Sequence, residues 1–582
     1  MELYEPIELG PLSVERLSLT FVGLRFPVDL SGGVPRFRSR RGELQEVVLR
    51  VRLPELAAFA ARRVGEPFGP LAKPPAVFAI EGGIGVGLVG ERGALAFDLL
   101  WAADEGDARW VVSNARGVGL PGPALAIALR ASEALVQGYG ERRGRVLEIA
   151  DVGGRIGRAL LPAVGARAPS AAAVRFGDLF HELDELSVAL DATFPPAAPS
   201  AHATRALELA ELTREADEAL AASQLDEARA HLLEALEQAP RHPEIVRTLC
   251  EIDSAIPGRF EAALGMLVET LPAALAGELG ATLLAGTGDS AGALSALERA
   301  ASVELYAPLA ALLLLRAAEI APPAFAQTYL DRAVSTAPTL PQLRRARFLA
   351  RLARGEVDLA LADAEHLEAM ASGAKARHAA CVYAAERLLE AGNVKQAGKA
   401  FERALRYAPD DADATAGLAR ALESAGSVQR AIALYERAIA IAERTSTSAA
   451  RAQVELSRLL ADSASDLPGA IARARQVPVS AKEAEQARWL EARYRARLGD
   501  LAGASLAFAR LREVIELGSG SAAGESAERL REAAEFELGA RDDPALAERH
   551  LALALRLQPH DAELARLYRH AAELFDARRR AR

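Results

Sequence analysis

Apolar and polar positions alternate through the first part of the chain. Leu17, Leu19 and Phe21 form one set, Leu24, Phe26, Val28 and Leu30 a second, and Val47, Leu49, Val51 and Leu53 a third. A period of two predicts half-buried strands, and the Val22-Gly23 shift between the first two sets reads as a bulge. A helix is expected over Glu55 to Arg63. Next comes a strand at Leu95, Phe97, Leu99 and Trp101 that turns at Asp104-Glu105-Gly106-Asp107 into Trp110 and Val112, and then a second helix from Pro123 to Val136. Hairpin signals outnumber parallel crossovers, so residues 1–193 read as an α+β domain with a curved antiparallel sheet. The prolines of Phe194-Pro195-Pro196-Ala197-Ala198-Pro199-Ser200 favour an extended connection, which places a linker at 194–202.

Beyond the linker the period changes to that of helices and the sequence repeats. Gly392, Ala397, Phe401, Ala404 and Pro409 recur 34 residues later as Gly426, Ala431, Tyr435, Ala438 and Glu443, and Ala385 and Leu388 recur as Ala419 and Leu422. Each type has a physical reason. The glycines turn one helix into the next, the alanines let two helices approach closely, the aromatics fill the gap between units, and Pro409 ends its helix. On these residues the chain resembles the tetratricopeptide repeat superfamily. The same alanine anchor is followed at Ala228, Ala262, Ala293, Ala326, Ala360, Ala397, Ala431, Ala470, Ala504 and Ala547. The resemblance implies about ten stacked helical pairs over residues 203–560, an all-α superhelical solenoid closed by a capping helix and an Arg-rich tail at 562–582. Spacings of 37, 39 and 43 between some anchors predict longer helices or inserted loops, and the repeats around Ala262, Ala360 and Ala470 are irregular.

Composition agrees with packed helices: 51% of residues are hydrophobic but only 5% aromatic, so the apolar mass is aliphatic. With 69 basic and 79 acidic residues the net charge is −10, which argues against coating nucleic acid. The start, Met1-Glu2-Leu3-Tyr4-Glu5, lacks the basic and apolar segments of a secretory signal. The longest apolar run, Leu305 to Leu315, contains Pro308 and ends at Arg316, short of the ~20 residues that span a bilayer. Two cysteines, Cys250 and Cys381, lie in distant repeats and are not expected to pair, so the expected location is the cytoplasm.

Candidate chemistry is sparse. Gly85-Val86-Gly87-Leu88-Val89-Gly90 has the G-x-G-x-x-G spacing with Glu105 downstream, but a dinucleotide site needs a helix at the third glycine, and Leu95 to Trp101 alternate as a strand. Gly85 and Gly87 instead bare one strand face, which admits a helix or an apolar ligand. Val146 to Gly154 faintly resembles the first motif of nucleoside methyltransferases, with Ala150 and Val152 where glycines belong. His181-Glu182-Leu183-Asp184-Glu185 lacks the second histidine of a zinc-protease helix, and His378 with Cys381 leaves two metal ligands missing. No catalytic group, cofactor or metal site is therefore expected. Arg36, Arg38 and Arg40 share one side of an extended segment suited to phosphate groups.

The leading expectation is a non-enzymatic scaffold whose concave repeat face binds a protein partner of unknown identity, with Tyr383, Arg387, Thr415 and Arg420 in the groove. The resemblance also implies that the family's asparagine- and lysine-based carboxylate clamp is absent, because the chain has only Asn114, Asn393 and five lysines. The alternative is a carrier of a lipid or apolar small molecule through the N-terminal domain at Gly85, Gly87, Arg36 and Arg38, with the repeats as docking arm. The strands and short helix of that domain are vaguely similar to tubular lipid-binding domains.

Overall fold

The computed structural model describes residues 6–9, 12–21, 42–160, 173–182, 184–195, 198–254, 256, 259, 262–263, 265–266, 273–518 and 522–581. The chain divides into two compact units, Met1–Arg347 and Phe348–Arg582.

The first unit contains two antiparallel sheets where the sequence pattern leads one to expect a single curved one. Strands β1 (Ile7–Leu9), β2 (Leu12–Phe21), β3 (Gly42–Arg52), β11 (Glu185–Asp191) and β10 (Arg175–Glu182) form a five-stranded sheet in that order. The second sheet runs β4 (Ala76–Ile80), β5 (Gly83–Val89), β6 (Ala94–Trp101), β7 (Ala108–Val118), β9 (Val146–Ile149), β8 (Glu141–Arg143). Chain separation explains the split: α1 (Leu53–Arg63) follows β3 and diverts the chain before β4. An edge-to-face contact between Trp101 of β6 and Phe176 of β10, with ring centroids 5.0 Å apart, links the two sheets. The second alternating set, Leu24 to Leu30, lies outside the described residues.

The six-stranded sheet is covered on both faces. Ile84, Val86 and Leu88 of β5 join a core with α2 (Ala124–Val136), α5 (Arg214–Ala221), α6 (Leu225–Gln238) and α7 (Pro243–Ser254). This burial explains why α2, Ala-Leu-Ala-Ile-Ala-Leu, is apolar on nearly every side. On the opposite face, Val89, Ala94, Ala96 and Val118 pack with α9 (Ser290–Val303), α10 (Ala307–Ile320) and α11 (Pro323–Thr336), preceded by α8 (Ala273–Gly286). Helix α4 (Ala201–Leu212) covers Leu100 and Val111, and α3 (Val152–Leu160) closes the five-stranded core through Ile156. The proline-rich stretch thus separates strands from helices along the chain, while the compact unit continues to Arg347.

The division falls within α12 (Pro341–Ala353), whose Phe348 and Leu352 share a core with Ala360 and Ala364 of α13 (Val357–Met370). The pairs that follow are α14 (Gly373–Glu390) with α15 (Val394–Tyr407), α16 (Ala412–Ser424) with α17 (Val428–Thr445), and α18 (Ala450–Asp462) with α19 (Leu467–Gln476). Then come α20 (Ala484–Arg497) with α21 (Leu501–Glu516) and α22 (Ala523–Gly539) with α23 (Pro544–Leu557), closed by α24 (Ala562–Ala581). Gly392 and Gly426 both sit at φ 76°, the left-handed turn that a side chain disfavours. Aspartates cap the second helices: Asp466, Asp500 and Asp543 each accept a backbone N–H at the start of α19, α21 and α23. Ala228, Ala293, Ala360, Ala397, Ala431, Ala470, Ala504 and Ala547 are all 0% exposed, as close helix crossings require. Ala326 is half-buried, and at Ala262 the anchor slips by one, since Ala263 takes the buried position. The longer spacings correspond to longer helices, α14 and α17 having 18 residues each and α22 having 17.

One buried group in this unit gives the fold a pH dependence. His550 of α23 is fully buried, and neither ring nitrogen has a hydrogen-bond partner. Burial, reinforced by the Arg512 guanidinium, pushes its pKa down to about 3. An unfolded histidine titrates near 6.5, so the unfolded state takes up the proton first and stability is lost as pH falls below that value. Between pH 7 and 5 His550 should cost the unit about 2 kcal/mol, integrating the proton uptake of the unfolded state alone. Urea unfolding of His550→Leu at both pH values should show a change smaller than wild type by that amount; an equal change in the two proteins would refute the assignment.

Candidate functional site

In residues 348–582 the small residues are occupied in stacking, and the first helices of successive pairs touch one another through polar and aromatic groups. The Trp489 indole of α20 donates to Glu532 of α22 at 2.7 Å, and Arg529 of α22 donates to buried Glu485 of α20 at 2.6 Å. Arg493 lies with its guanidinium carbon 4.6 Å from the Trp489 ring centroid, and Arg529 lies at 5.8 Å. One half-buried aromatic therefore carries two cations against it, with Glu532 also holding Arg493 at 3.1 Å. Farther along, Arg458 of α18 donates to Glu423 of α16, which also accepts from the Tyr435 hydroxyl at 3.1 Å. These guanidinium groups are already paired with carboxylates of the chain, so the arrangement suits an extended segment that offers carbonyl oxygens or apolar side chains.

The residues expected in the groove divide. Arg420 is half-buried on α16, and Arg387 on α14 is tied to Glu390 at 2.7 Å. Tyr383 packs against Phe348 with ring centroids 6.1 Å apart. Thr415 is corrected: it is 0% exposed, and its hydroxyl donates to the Asp411 carbonyl at 2.7 Å, so it offers nothing to a ligand. The buried stripe of α16 runs through Ala414, Thr415, Leu418 and Ala419, a helical rotation one position from the expected one. Sequence reading missed Trp489 and Arg493, although one of only three tryptophans with an arginine four positions later on a first helix is a visible signal.

In the first unit the bared strand face is filled from within. A Cβ on Gly85 would lie 2.2 Å from the Phe78 ring, and one on Gly87 would lie 2.5 Å from the Tyr306 ring. Those two rings stack at 6.2 Å, so the glycines make room for protein side chains and present no face to an apolar ligand. The G-x-G-x-x-G run lies on β5, an interior strand paired antiparallel on both sides, with Gly90 just past its end. Arg36 and Arg38 lie outside the described residues.

Buried charge joins the six-stranded sheet to the helices. Arg145, between β8 and β9, makes a two-pronged pair with Asp217 of α5 at 2.9 and 3.0 Å and reaches Glu244 of α7 at 2.8 Å. Burial alone would lower the Arg145 pKa, but the two carboxylates outweigh it and hold the guanidinium firmly charged. Arg116 of β7 likewise reaches Glu304 at 2.6 Å and Asp98 of β6 at 3.0 Å. Burial raises the Asp98 pKa, opposed by Arg116 and Asn114. Both cysteine thiols are free, buried and pushed up to about 12 by desolvation, which makes them poor nucleophiles.

A family model described as tetratricopeptide repeat matches residues 384–446. The helical array is tetratricopeptide-like. No curated protein matches the chain. Among solved structures, the array is similar to the C-terminal part of a tetratricopeptide repeat-containing protein from Cytophaga hutchinsonii, at 19% identity over 44% of this chain and 97% of that one, with a TM-score of 0.32. It is also similar to the human IFIT1 dimer with PPP-AAAA, at 16% identity over 64% and 93% of the chains with a TM-score of 0.31. A third is PilF of Pseudomonas aeruginosa, at 20% identity over 36% and 88% with a TM-score of 0.28. The tetratricopeptide match falls on the pairs α14–α15 and α16–α17, where the 34-residue repeat is clearest. Among the described residues no helix is long and apolar enough to cross a membrane.

Proposed function

We propose that the chain is a non-enzymatic, cytoplasmic protein-interaction scaffold whose first helices in residues 348–582 hold an extended segment of a protein partner. The observation that carries the reading is the division of labour within each pair. The alanine anchors and the Phe401 and Tyr435 rings are buried in stacking, while Arg420, Trp489 and Arg493 remain at least partly open on the first helices. Arg420 suits a carboxylate or carbonyl oxygen, Arg493, already paired with Glu532, has further N–H donors for carbonyl oxygens, and Trp489 supplies an apolar platform of low conformational entropy. A cytoplasmic setting is supported by the two unpaired, buried cysteines.

A photo-crosslinking residue placed at position 420 or 493 of the full-length chain tests this in the native host. The same protein should be captured from both positions and not from position 437, which is exposed on the second helix α17. Equal capture from 437, or none from 420 and 493, would remove the first-helix face as the binding surface.

A further inference from the structure

A cleft of about 440 Å³ opens within the first unit between the six-stranded sheet and α8–α10. We infer that it binds a small organic cation with an apolar tail, a site separate from the repeat face and independent of that reading. Its volume lies within the ~300–1,000 Å³ of small-molecule sites.

Carboxylates reach the cleft from four elements: Glu81 after β4, Asp98 on β6, Glu278 on α8 and Glu304 between α9 and α10. Its two guanidinium groups are already held, Arg116 by Asp98 and Glu304, and Arg247 by Glu251 at 3.2 Å. Glu278 is held in turn by Arg316 at 2.7 Å, so among the described residues the lining and its ion-pair partners Glu251 and Arg316 set five acids against three guanidinium groups, and an anion would meet net repulsion and no uncommitted guanidinium. Glu81 is exposed and makes no ion pair among the described residues, which gives an arriving ammonium group a free carboxylate.

The apolar half of the ligand is argued from the lip. In Val303-Glu304-Leu305-Tyr306 the side chains alternate. Glu304 and Tyr306 turn inward, while Val303 and Leu305 line the cleft at 60% and 68% exposure. Leaving two large aliphatic groups in water forgoes stabilisation that an occupant covering them would recover. Leu100, Leu309 and Leu313 continue the apolar wall inward.

Calorimetry on the full-length chain with hexylamine, hexanol and hexanoate separates charge from tail. Hexylamine should bind at one saturable site, at least about tenfold more tightly than hexanol, with hexanoate not binding. Glu81→Gln and Leu305→Ser change exposed residues and should leave the fold intact. Each should weaken hexylamine about three- to tenfold, while Glu141→Gln, on exposed β8, should not. No saturable hexylamine binding up to about 10 mM, or binding indifferent to charge and to both substitutions, would overturn the site.

Discussion

Replacing Arg145 with alanine should destabilise the first unit by about 3–5 kcal/mol, because it leaves a buried carboxylate without its counter-ion. Arg145 is 1% exposed and Asp217 0%, so water cannot replace the lost guanidinium. Asp217 keeps only the Thr213 hydroxyl, at 2.8 Å, while Glu244 retains Ser113 at 2.7 Å and the Asn114 N–H. Urea unfolding read through fluorescence reports mainly on this unit, since two of the three tryptophans, Trp101 and Trp110, lie in it and Trp489 lies in the other. Arg145→Met combined with Asp217→Leu should lose much less than Arg145→Ala, because the double change removes both charges together. A loss below about 1 kcal/mol for Arg145→Ala would mean that the pair is solvated and does not fasten sheet to helices.

The second large effect is expected at Tyr435, which is fully buried among Ala419, Ala431, Ala438, Leu456 and Leu459. Tyr435→Ala should cost about 3–5 kcal/mol, the usual range for emptying an aromatic site in a packed core. Tyr435→Phe removes only the hydroxyl bond to Glu423 and should cost about 1 kcal/mol, since Glu423 keeps Arg458. Hydrogen exchange should show the alanine variant loosening α16, α17 and α18 together. Loosening confined to α17 would mean that the ring does not bridge neighbouring pairs.

These two residues were not equally visible in the sequence. Tyr435 repeats Phe401 after 34 positions, so its role as gap filler follows from local spacing and the helix-turn-helix geometry it imposes. Arg145 had no such signal. Nothing near it in the chain names Asp217, 72 positions away, or Glu244, 99 positions away. Trp489 falls between these cases: its place on a first helix was legible, but its contact with Arg529 and Glu532 depends on how the next pair stacks. Thr415 shows the limit from the other side, because a one-position uncertainty in helix rotation, about 100°, turns a groove residue into a core residue.

By itself the sequence determined the helical pairs, their alanine crossings and the antiparallel character of the strands, because each follows from periodicity and turn chemistry within a few dozen residues. It also excluded the dinucleotide reading of Gly85 to Gly90, since the following strand pattern left no helix to receive a phosphate. Only the tertiary structure decided that the strands form two sheets, that the glycine face is filled by Phe78 and Tyr306, and that carboxylates from four elements converge on one cleft. The physical reason is distance along the chain. Arg116 and Glu304 stand 188 residues apart, and which partners meet at that separation is fixed by the path of the whole chain and the burial it achieves.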